Sequence, residues 1–460
     1  GDVYKRQDLA RELRFFLDPA IPLLHLPDGE VLPYDLFSPQ PDIVSQRLAT
    51  LAQLPAVTRG ILLVAAETLS QRLPPQHYVL GRSFSLAEGQ HFDREAMRLQ
   101  LAQAGYVSVG QVTAPGEYAL RGSIFDAFPM GSEAPLRIDL FDDQIDTIHH
   151  FDPETQRSLE RIGRFQLLPA REVPLDEESV RQFRRRWRTR FEGDPTRSSV
   201  YRSVSEGRAA PGVELYLPLF FDACASLFDY LPSRLLVVRE ATLESALDAV
   251  WAGIASRHED RRHDIERPVL DPQELFLPPP QVLESLRGRP TVQLGGDASA
   301  LPSTTLPLAP APTVRLDLRA EAPMAPLQAF LQQFPGRVVL GADSPGRREV
   351  LHDLLRQAGL SPVVYGSWLE AAAGAQRLGV VLAPDVGSLA LLDTAGAAGR
   401  HPAAGPARTP GTASPPRRAR PAGHPARPAG PVGRRTGGAR RLWRRPLCRP
   451  AGDGGGRPAG

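Results

Sequence analysis

The sequence predicts an α/β protein that carries a small inserted β-rich domain, followed by a second small α/β domain and a disordered tail. Three observations predict it. Helix-like stretches alternate with short, wholly apolar runs such as residues 61–66, the pattern of parallel strands buried between helices. Residues 83–168 instead hold short segments rich in β-forming residues, separated by turn signals. Residues 401–460 have no apolar period and are filled by Gly, Pro, Arg and Ala, so they cannot bury a core.

The first α/β domain is predicted in two parts, residues 8–82 and 169–275. Helices are expected over 8–17, after Asp42 as a plausible N-cap, and over 68–72, 177–191 and 243–255, with strands over 61–66, 215–221 and 235–238. Residues 1–7 join no recognisable element. They contain Lys5, the only lysine of the chain, and we interpret them as non-native.

The β-rich insert, residues 83–168, is predicted to start with a helix over 93–104, which Gly105 ends. Strands are expected over 106–112, 117–128, 136–141 and 147–151. The pairs Pro115-Gly116, Gly131-Ser132 and Asp142-Asp143 provide the turns between them.

The rest of the chain is predicted as linker, small domain and tail. Residues 276–321 are Pro-rich and weakly patterned, as in a linker. Residues 322–392 are expected to form a βαβαβ unit with strands over 338–340, 363–365 and 380–382, and with Ser344 capping a helix. Residues 393–460 are predicted to be disordered.

The formal net charge of +2 hides an asymmetry. Residues 401–460 contain 13 Arg and one acidic residue, Asp453, a net +12, so the first 400 residues carry −10. One interpretation of the tail is a basic arm that grips nucleic-acid phosphates. The other, which we favour, is a slipped reading frame in a G+C-rich gene, because the chain has 53 Arg and one Lys.

Composition excludes several function classes. The apolar runs are far shorter than the ~18 residues of a membrane-spanning helix, and no signal peptide is recognisable, so we expect a cytoplasmic protein without a membrane partner. Cys224 and Cys448 are too few for a disulfide framework or a four-thiolate metal site. A P-loop needs Gly-Lys-Ser/Thr, and Lys5 has no such context. We predict no catalytic residue and no cofactor site.

Two groups of possible metal ligands favour a solvated surface instead. His258 and His263 are five residues apart, which does not place them on one helix face. Asp142, Asp143 and Asp146 fit an exposed strand, turn and strand better than a cation site. We therefore predict no metal site.

Residues 181–190 are basic with aromatic residues interleaved. Such a segment fits a nucleic-acid contact. We favour a solvated linker helix, in which Glu177 and Glu178 pair with part of the positive charge. Both interpretations remain open on the sequence alone.

The insert offers a candidate binding face at Arg121, Arg137 and Phe141. Arg121 lies in a predicted strand, and Arg137 and Phe141 stand at i and i+4 of another, hence on one face. Arginine beside an exposed aromatic residue is typical of protein-binding hot spots, where one side chain supplies ~2 kcal/mol. The alternative is that Phe141 is a core residue and both arginines are solvated. The residues alone do not decide between them.

Several linked motifs resemble the bacterial transcription-repair coupling factor (Mfd) family over residues 8–392. They are Leu32-Pro33-Tyr34-Asp35, Phe37-Ser38-Pro39, Asp42-Ile43, Arg47-Leu48, Thr50-Leu51, Leu54-Pro55, residues 116–122, residues 128–133, residues 137–143, residues 212–221 and residues 344–349.

The resemblance implies a degenerate UvrB-like, RecA-like ATPase domain, with the insert as its UvrA-binding surface, followed by a small Rossmann-like domain. By motif match, Arg121, Arg137 and Phe141 fall on the positions that family members use to contact UvrA. The family acts in transcription-coupled nucleotide excision repair, where ATP-driven translocation on double-stranded DNA releases stalled RNA polymerase. The parts that bind RNA polymerase, double-stranded DNA, ATP and magnesium have no counterpart here. We therefore expect a fragment that keeps only the recruiting role.

UvrB itself, an ATP-dependent helicase of excision repair, is the alternative. Two departures oppose it. No P-loop is present, and Arg239-Glu240 follow a predicted strand where UvrB has an Asp-Glu metal-binding pair.

Overall fold

The computed structural model describes residues 3–295, 308–310, 314, 321–334, 336–384, 389–391 and 407–408. Its helices are α1 Val3–Phe16, α2 Pro41–Gln53, α3 Ala66–Leu69, α4 Gln76–Gly81, α5 Arg94–Gln103, α6 Glu177–Arg190, α7 Ser199–Ser205, α8 Leu227–Tyr230, α9 Leu243–Arg261, α10 Pro272–Leu275, α11 Pro279–Leu286, α12 Ala325–Gln333, α13 Pro345–Gln357 and α14 Trp368–Ala373. Short 3-10 helices occur at Leu54–Ala56, Pro195–Arg197 and Val213–Leu219.

The strands are β1 Leu23–Leu26, β2 Ile61–Val64, β3 Phe84–Ala87, β4 Val107–Ser108, β5 Glu117–Arg121, β6 Ile124–Ala127, β7 Leu136–Phe141, β8 Gln144–Phe151, β9 Ser158–Arg161, β10 Arg164–Leu167, β11 Val237–Glu240, β12 Thr291–Leu294, β13 Leu308–Pro310, β14 Val338–Ala342, β15 Val363–Val364, β16 Leu378–Leu382, β17 Leu389–Leu391 and β18 Ala407–Arg408. The mixed α/β architecture predicted from the sequence is confirmed.

The first α/β part is built on two parallel strand pairs, β1 with β2 and β11 with β12. The predicted parallel strand near residue 61 is confirmed as β2, which aligns with β1 from Leu23 opposite Ile61. Its side chains are only half-buried, because the described sheet has two strands and β2 therefore has a neighbouring strand on one edge only. Helix α2 covers β1 and buries Leu48 and Leu51.

The insert is a six-stranded sheet in the order β4-β5-β6-β7-β8-β9. All neighbours after the short parallel pair β4-β5 run antiparallel, as expected for strands joined by tight turns. Asp93 caps α5, because its carboxylate accepts hydrogen bonds from the backbone N–H of Glu95 and Ala96, both at 3.0 Å. The pair β3-β10 joins the segments that enter and leave the insert.

Gly131 fixes the insert to the α/β part. Its φ of 84° lies in the left-handed region, and an added Cβ would stand 2.8 Å from the Cβ of Ala49 in α2, so only glycine fits. The Gly131 N–H also donates to Ser45 Oγ at 2.7 Å. A single buried core consequently runs from Leu26 to Val282 and includes the inner side of the sheet.

The last α/β part confirms the predicted βαβαβ unit. Strands β15, β16 and β14 lie side by side and parallel, with β18 against the other edge of β14. Helix α13 begins after Ser344, whose Oγ accepts from the Arg347 N–H at 3.4 Å. Leu351 and Leu355 of α13 are buried with Val380 of β16.

Four local predictions are wrong. Residues 215–221 form no strand but largely the 3-10 helix Val213–Leu219, because Pro218 has no N–H for a strand ladder. The single strand predicted over 117–128 is a hairpin, β5 and β6, which turns at Gly122 with φ 57°. Residues 3–7 belong to α1. The helix predicted over 68–72 is the earlier, single-turn α3.

The interval predicted as a linker, residues 276–321, starts with regular structure. Helix α11 buries Val282 in the main core, and β12 pairs with β11. Its proline residues open α11 rather than break it, because the first turn of a helix tolerates proline. The predicted disordered tail, residues 393–460, lies outside the described residues except for Ala407–Arg408.

Candidate interaction face on the six-stranded sheet

The two faces of the insert sheet differ in character. Along β7, Leu136, Ile138 and Leu140 point into the core and are buried, whereas the alternate residues point outward. The outward residues are Arg137, Asp139 and Phe141. We call this side of the sheet the outer face; it also includes Ala119, Arg121, Ile124, Asp126, Thr147 and His149.

The strand register brings the outer-face residues into two rows. In one row, Arg137 of β7 lies opposite Asp126 of β6 and His149 of β8. In the next row, Ile124 lies opposite both Arg121 and Asp139. Residues two apart on one strand are about 7 Å apart, so long side chains of adjacent rows can reach one another.

Asp126 is the centre of this arrangement. Its side chain is fully buried, and its carboxylate accepts hydrogen bonds from Arg137 Nε at 2.8 Å and Arg137 Nη2 at 2.9 Å. Arg121 Nη2 donates to the same carboxylate at 2.5 Å. The hydrogen bond to Asp126 raises the pKa of the Arg137 guanidinium. Two positive charges thus meet one negative charge, which leaves the cluster with a net +1.

Arg137 is held from several sides. Its Nη1 donates to the Gln156 carbonyl at 2.9 Å, and its guanidinium lies 4.6 Å from the centre of the Phe151 ring. Phe151 belongs to a small apolar cluster with Val112, Ala119 and Phe128. The Arg137 side chain is therefore only 16% exposed. Arg121 is 49% exposed, and among the described residues its side chain hydrogen-bonds only to Asp126.

Phe141 lies at the end of β7, where the chain turns through Asp142 and Asp143 into β8. Asp142 has φ 52°, a left-handed conformation that Asp tolerates in hairpin turns. The Phe92 N–H donates to the Asp143 carbonyl at 2.8 Å and holds the turn against the rest of the insert. The Phe141 side chain is 72% exposed, so it is not a core residue.

The structure brings the three predicted site residues onto one face but not into one contact. Arg121 and Arg137 share Asp126, whereas Phe141 stands beyond them along β7, about 10 Å across the sheet from the strand of Arg121. Sequence reasoning missed Asp126. A lone acidic residue inside the apolar strand β6 was the available signal, because a buried carboxylate needs charged partners.

Helix α6 holds the basic segment 181–190. Phe183 and Trp187 are buried in the main core, so the aromatic half of the interleaved pattern is not available to bases. Arg186 donates to the Pro218 carbonyl and to Asp222. Arg190 pairs with Asp271 and Glu274.

Among the described residues, no group of three or more His, Cys, Asp or Glu side chains is arranged to hold a metal ion. The prediction that His258 lies on a solvated helix surface is wrong. Its ring packs 5.4 Å from that of Tyr34, and its Nε2 is 3.8 Å from Asp271. Asp142, Asp143 and Asp146 are exposed around a turn, as predicted. Burial raises the pKa of the Cys224 thiol to about 11, which keeps it protonated at neutral pH.

The chain is similar to proteins named transcription-repair-coupling factor. The protein of Escherichia coli (strain K12) is 39% identical over 364 residues, 78% of this chain and 32% of the relative. That of Haemophilus influenzae is 39% identical over 73% of the chain and 30% of the relative. That of Myxococcus xanthus is 30% identical over 63% of the chain and 25% of the relative.

The chain belongs to the transcription-repair-coupling factor family.

It spans about a third of the length of these relatives. Two domain families of known description match within it. Residues 84–173 match the UvrB interaction domain, and residues 330–393 match the MFD, D3 domain. The first match covers the whole outer face, and the second covers the βαβαβ unit. In the part of the chain that the structure describes, every helix is too short or too polar to cross a bilayer.

Proposed function

We propose that this chain recruits UvrA, the excision-repair protein, through the outer face of the insert sheet. One observation carries the proposal. An exposed Phe141 shares the outer face with two arginines that converge on a buried carboxylate, within the segment that matches a UvrB interaction domain. An aromatic anchor beside arginines is the composition of a protein-binding hot spot.

The arrangement suits binding because it is ordered in advance. Arg137 is fixed by Asp126, by the Gln156 carbonyl and by the Phe151 ring, so little side-chain entropy is lost when a partner arrives. Arg121 keeps half of its surface exposed and can pair with an acidic group of UvrA. Burying the Phe141 side chain contributes about 1.5 to 3 kcal/mol.

We infer different roles for the two arginines. Arg121 is exposed enough to contact the partner, whereas Arg137, with 16% exposure, mainly orients Asp126 and thereby Arg121. Arg121→Ala therefore weakens binding with only a small loss of thermal stability, because Arg137 still pairs with Asp126, whereas Arg137→Ala lowers both more strongly.

The wider role that we propose is in transcription-coupled nucleotide excision repair, which the names of the relatives suggest. RNA polymerase, double-stranded DNA, ATP and magnesium would be bound by the parts of those relatives that this chain does not match. The UvrB-like helicase is not favoured, since the curated relatives named above are coupling factors.

The test measures binding of purified UvrA to the full chain by surface plasmon resonance. We expect Phe141→Ala to weaken binding at least about ten-fold, equivalent to about 1.4 kcal/mol, with unchanged melting temperature because the ring is exposed. The matched control is Leu99→Ala, which removes an apolar side chain of 61% exposure from α5. Wild-type affinity in both Phe141→Ala and Arg121→Ala would refute the proposed site.

A further inference from the structure

Four arginines of α6 form an exposed stripe that the proposed UvrA site does not use. Arg181, Arg184, Arg185 and Arg188 are all exposed. Their spacing of i, i+3, i+4 and i+7 places them on one side of the helix, over a length of about 10 Å. We call these four residues the arginine stripe.

The stripe carries no internal counter-charge. Among the described residues, none of its four guanidinium groups forms an ion pair, and only Arg188 has a recorded side-chain contact, 6.0 Å from the centre of the Tyr201 ring. The other two arginines of α6 differ, because Arg186 and Arg190 pair with acidic residues. Arg186 and Arg190 are therefore neutralised by acidic residues, whereas the four arginines of the stripe are unpaired in the described part of the chain.

Such a stripe opposes the folding of the helix that carries it. Like charges at i, i+3 and i, i+4 repel one another, and the stripe contains four such pairs. The acidic residues Glu177 and Glu178 lie in the first turn, where the helix dipole favours them, and form no ion pair with the stripe among the described residues. The first 400 residues carry a net charge of −10, so the sign of the stripe is opposite to the net charge of this part of the chain.

We propose that the arginine stripe binds the phosphate backbone of duplex DNA. A length of about 10 Å matches three phosphates along one strand, which rises 3.4 Å per nucleotide, and guanidinium groups suit phosphate oxygens. Single-stranded nucleic acid is usually held by exposed aromatic residues that stack on bases. The aromatic residues of α6, Phe183 and Trp187, are buried instead. The contact reads no base and is independent of the UvrA site on the insert.

The test compares two quadruple variants of the full chain. One replaces the stripe (R181Q, R184Q, R185Q, R188Q). The matched control replaces four dispersed, exposed arginines without ion pairs in the described part of the chain (R59Q, R157Q, R234Q, R356Q). Both are made with the 13 tail arginines changed to glutamine, so that the charge of residues 401–460 does not mask the result.

Fluorescence anisotropy of a labelled duplex of about 30 base pairs gives the affinity between about 50 and 200 mM salt. We expect the slope of log Kobs against log salt to fall in magnitude by about 3 in the stripe variant, because each released phosphate contact contributes about 0.9. The dispersed control keeps its slope. A variant with lysine at the four stripe positions retains most of the binding, because the charge is kept. Circular dichroism and tryptophan fluorescence check that the variants are folded like the wild type.

Equal slopes in the stripe variant and the dispersed control would overturn the proposal. So would stripe-dependent binding of polyglutamate, single-stranded DNA or duplex RNA that is as tight as binding of duplex DNA. The UvrA measurement contains no DNA, so either proposal can fail while the other stands.

Discussion

Asp126 decides the character of the outer face. A carboxylate without exposure is costly to bury alone, and here it is compensated by three hydrogen bonds from two guanidinium groups. The same contacts fix the direction of Arg137 and draw Arg121 towards it. Asp126 itself thus touches no partner, but it sets the geometry of residues that we propose contact UvrA.

We expect Asp126→Asn to destabilise the chain by about 3 kcal/mol, since removing one member of a buried ion pair leaves the others unpaired. UvrA binding falls as well, because Arg121 loses its anchor. Chemical denaturation and surface plasmon resonance measure the two effects. Asp139→Asn is the control, because Asp139 lies on the same face, accepts from Thr147 Oγ1 at 3.1 Å and, among the described residues, forms no hydrogen bond or ion pair with either arginine. An Asp126→Asn protein as stable as Asp139→Asn would show that the carboxylate charge is not needed.

Two distant motifs of the sequence form one contact between elements. Ser38, in the loop before α2, donates to Glu214 Oε2 at 2.7 Å and accepts from the Gly212 N–H at 2.9 Å. Glu214 lies in the 3-10 helix that replaces the predicted strand. Tyr34, from the same loop region, donates to the Leu270 carbonyl at 2.9 Å. These contacts tie residues near 35 to residues near 214 and 270.

Glu214 makes this contact sensitive to pH. Burial raises the pKa of its carboxyl above the ordinary value, so folding favours the protonated form. The wild-type protein therefore loses stability as pH rises through the raised pKa, whereas Glu214→Gln stays neutral and can still accept from Ser38. We expect the variant to gain in melting temperature relative to the wild type as pH rises above about 4, the ordinary pKa of a glutamic acid. Glu160→Gln, at an exposed position, is the control, and a gain that does not change with pH would contradict the prediction.

The whole molecule combines one extended core with an uneven charge distribution. The core from Leu26 to Val282 unites the α/β part and the insert, so the outer face rests on a rigid support. The arginine stripe on α6 and the outer face of the insert belong to different elements, and we propose that they bind different partners.

We expect that magnesium ATP does not stabilise this chain. A P-loop lysine is needed to reach the phosphates, and Lys5 has no P-loop context. Binding at a concentration about 100 times Kd would add about 2.7 kcal/mol to the stability, which is readily seen by differential scanning fluorimetry. Addition of magnesium ADP is the parallel control. A nucleotide-dependent rise in melting temperature would restore the helicase hypothesis.

Local patterns predicted much of the fold because their causes are local. Strand β7 was predicted with the observed bounds from its β-forming residues, and α13 from its Ser344 cap. The hairpin at Gly122 and the 3-10 helix around Pro218 were missed. Both segments are rich in β-forming residues, and only their turn geometry distinguishes them from an uninterrupted strand. For the site, the sequence supplied Arg121, Arg137 and Phe141 as candidates but not their roles.

The sequence by itself determined the α/β class, the alternation that places Arg137 and Phe141 on one face, and the lack of a P-loop lysine. Only the tertiary structure decided that Phe141 is exposed, that Asp126 unites two arginines, and that the aromatic residues of α6 are buried while four of its arginines are unpaired. The physical reason is that periodicity sets which residues share a face. Whether that face meets water, a core or an opposite charge depends on strands and helices brought together from distant parts of the chain.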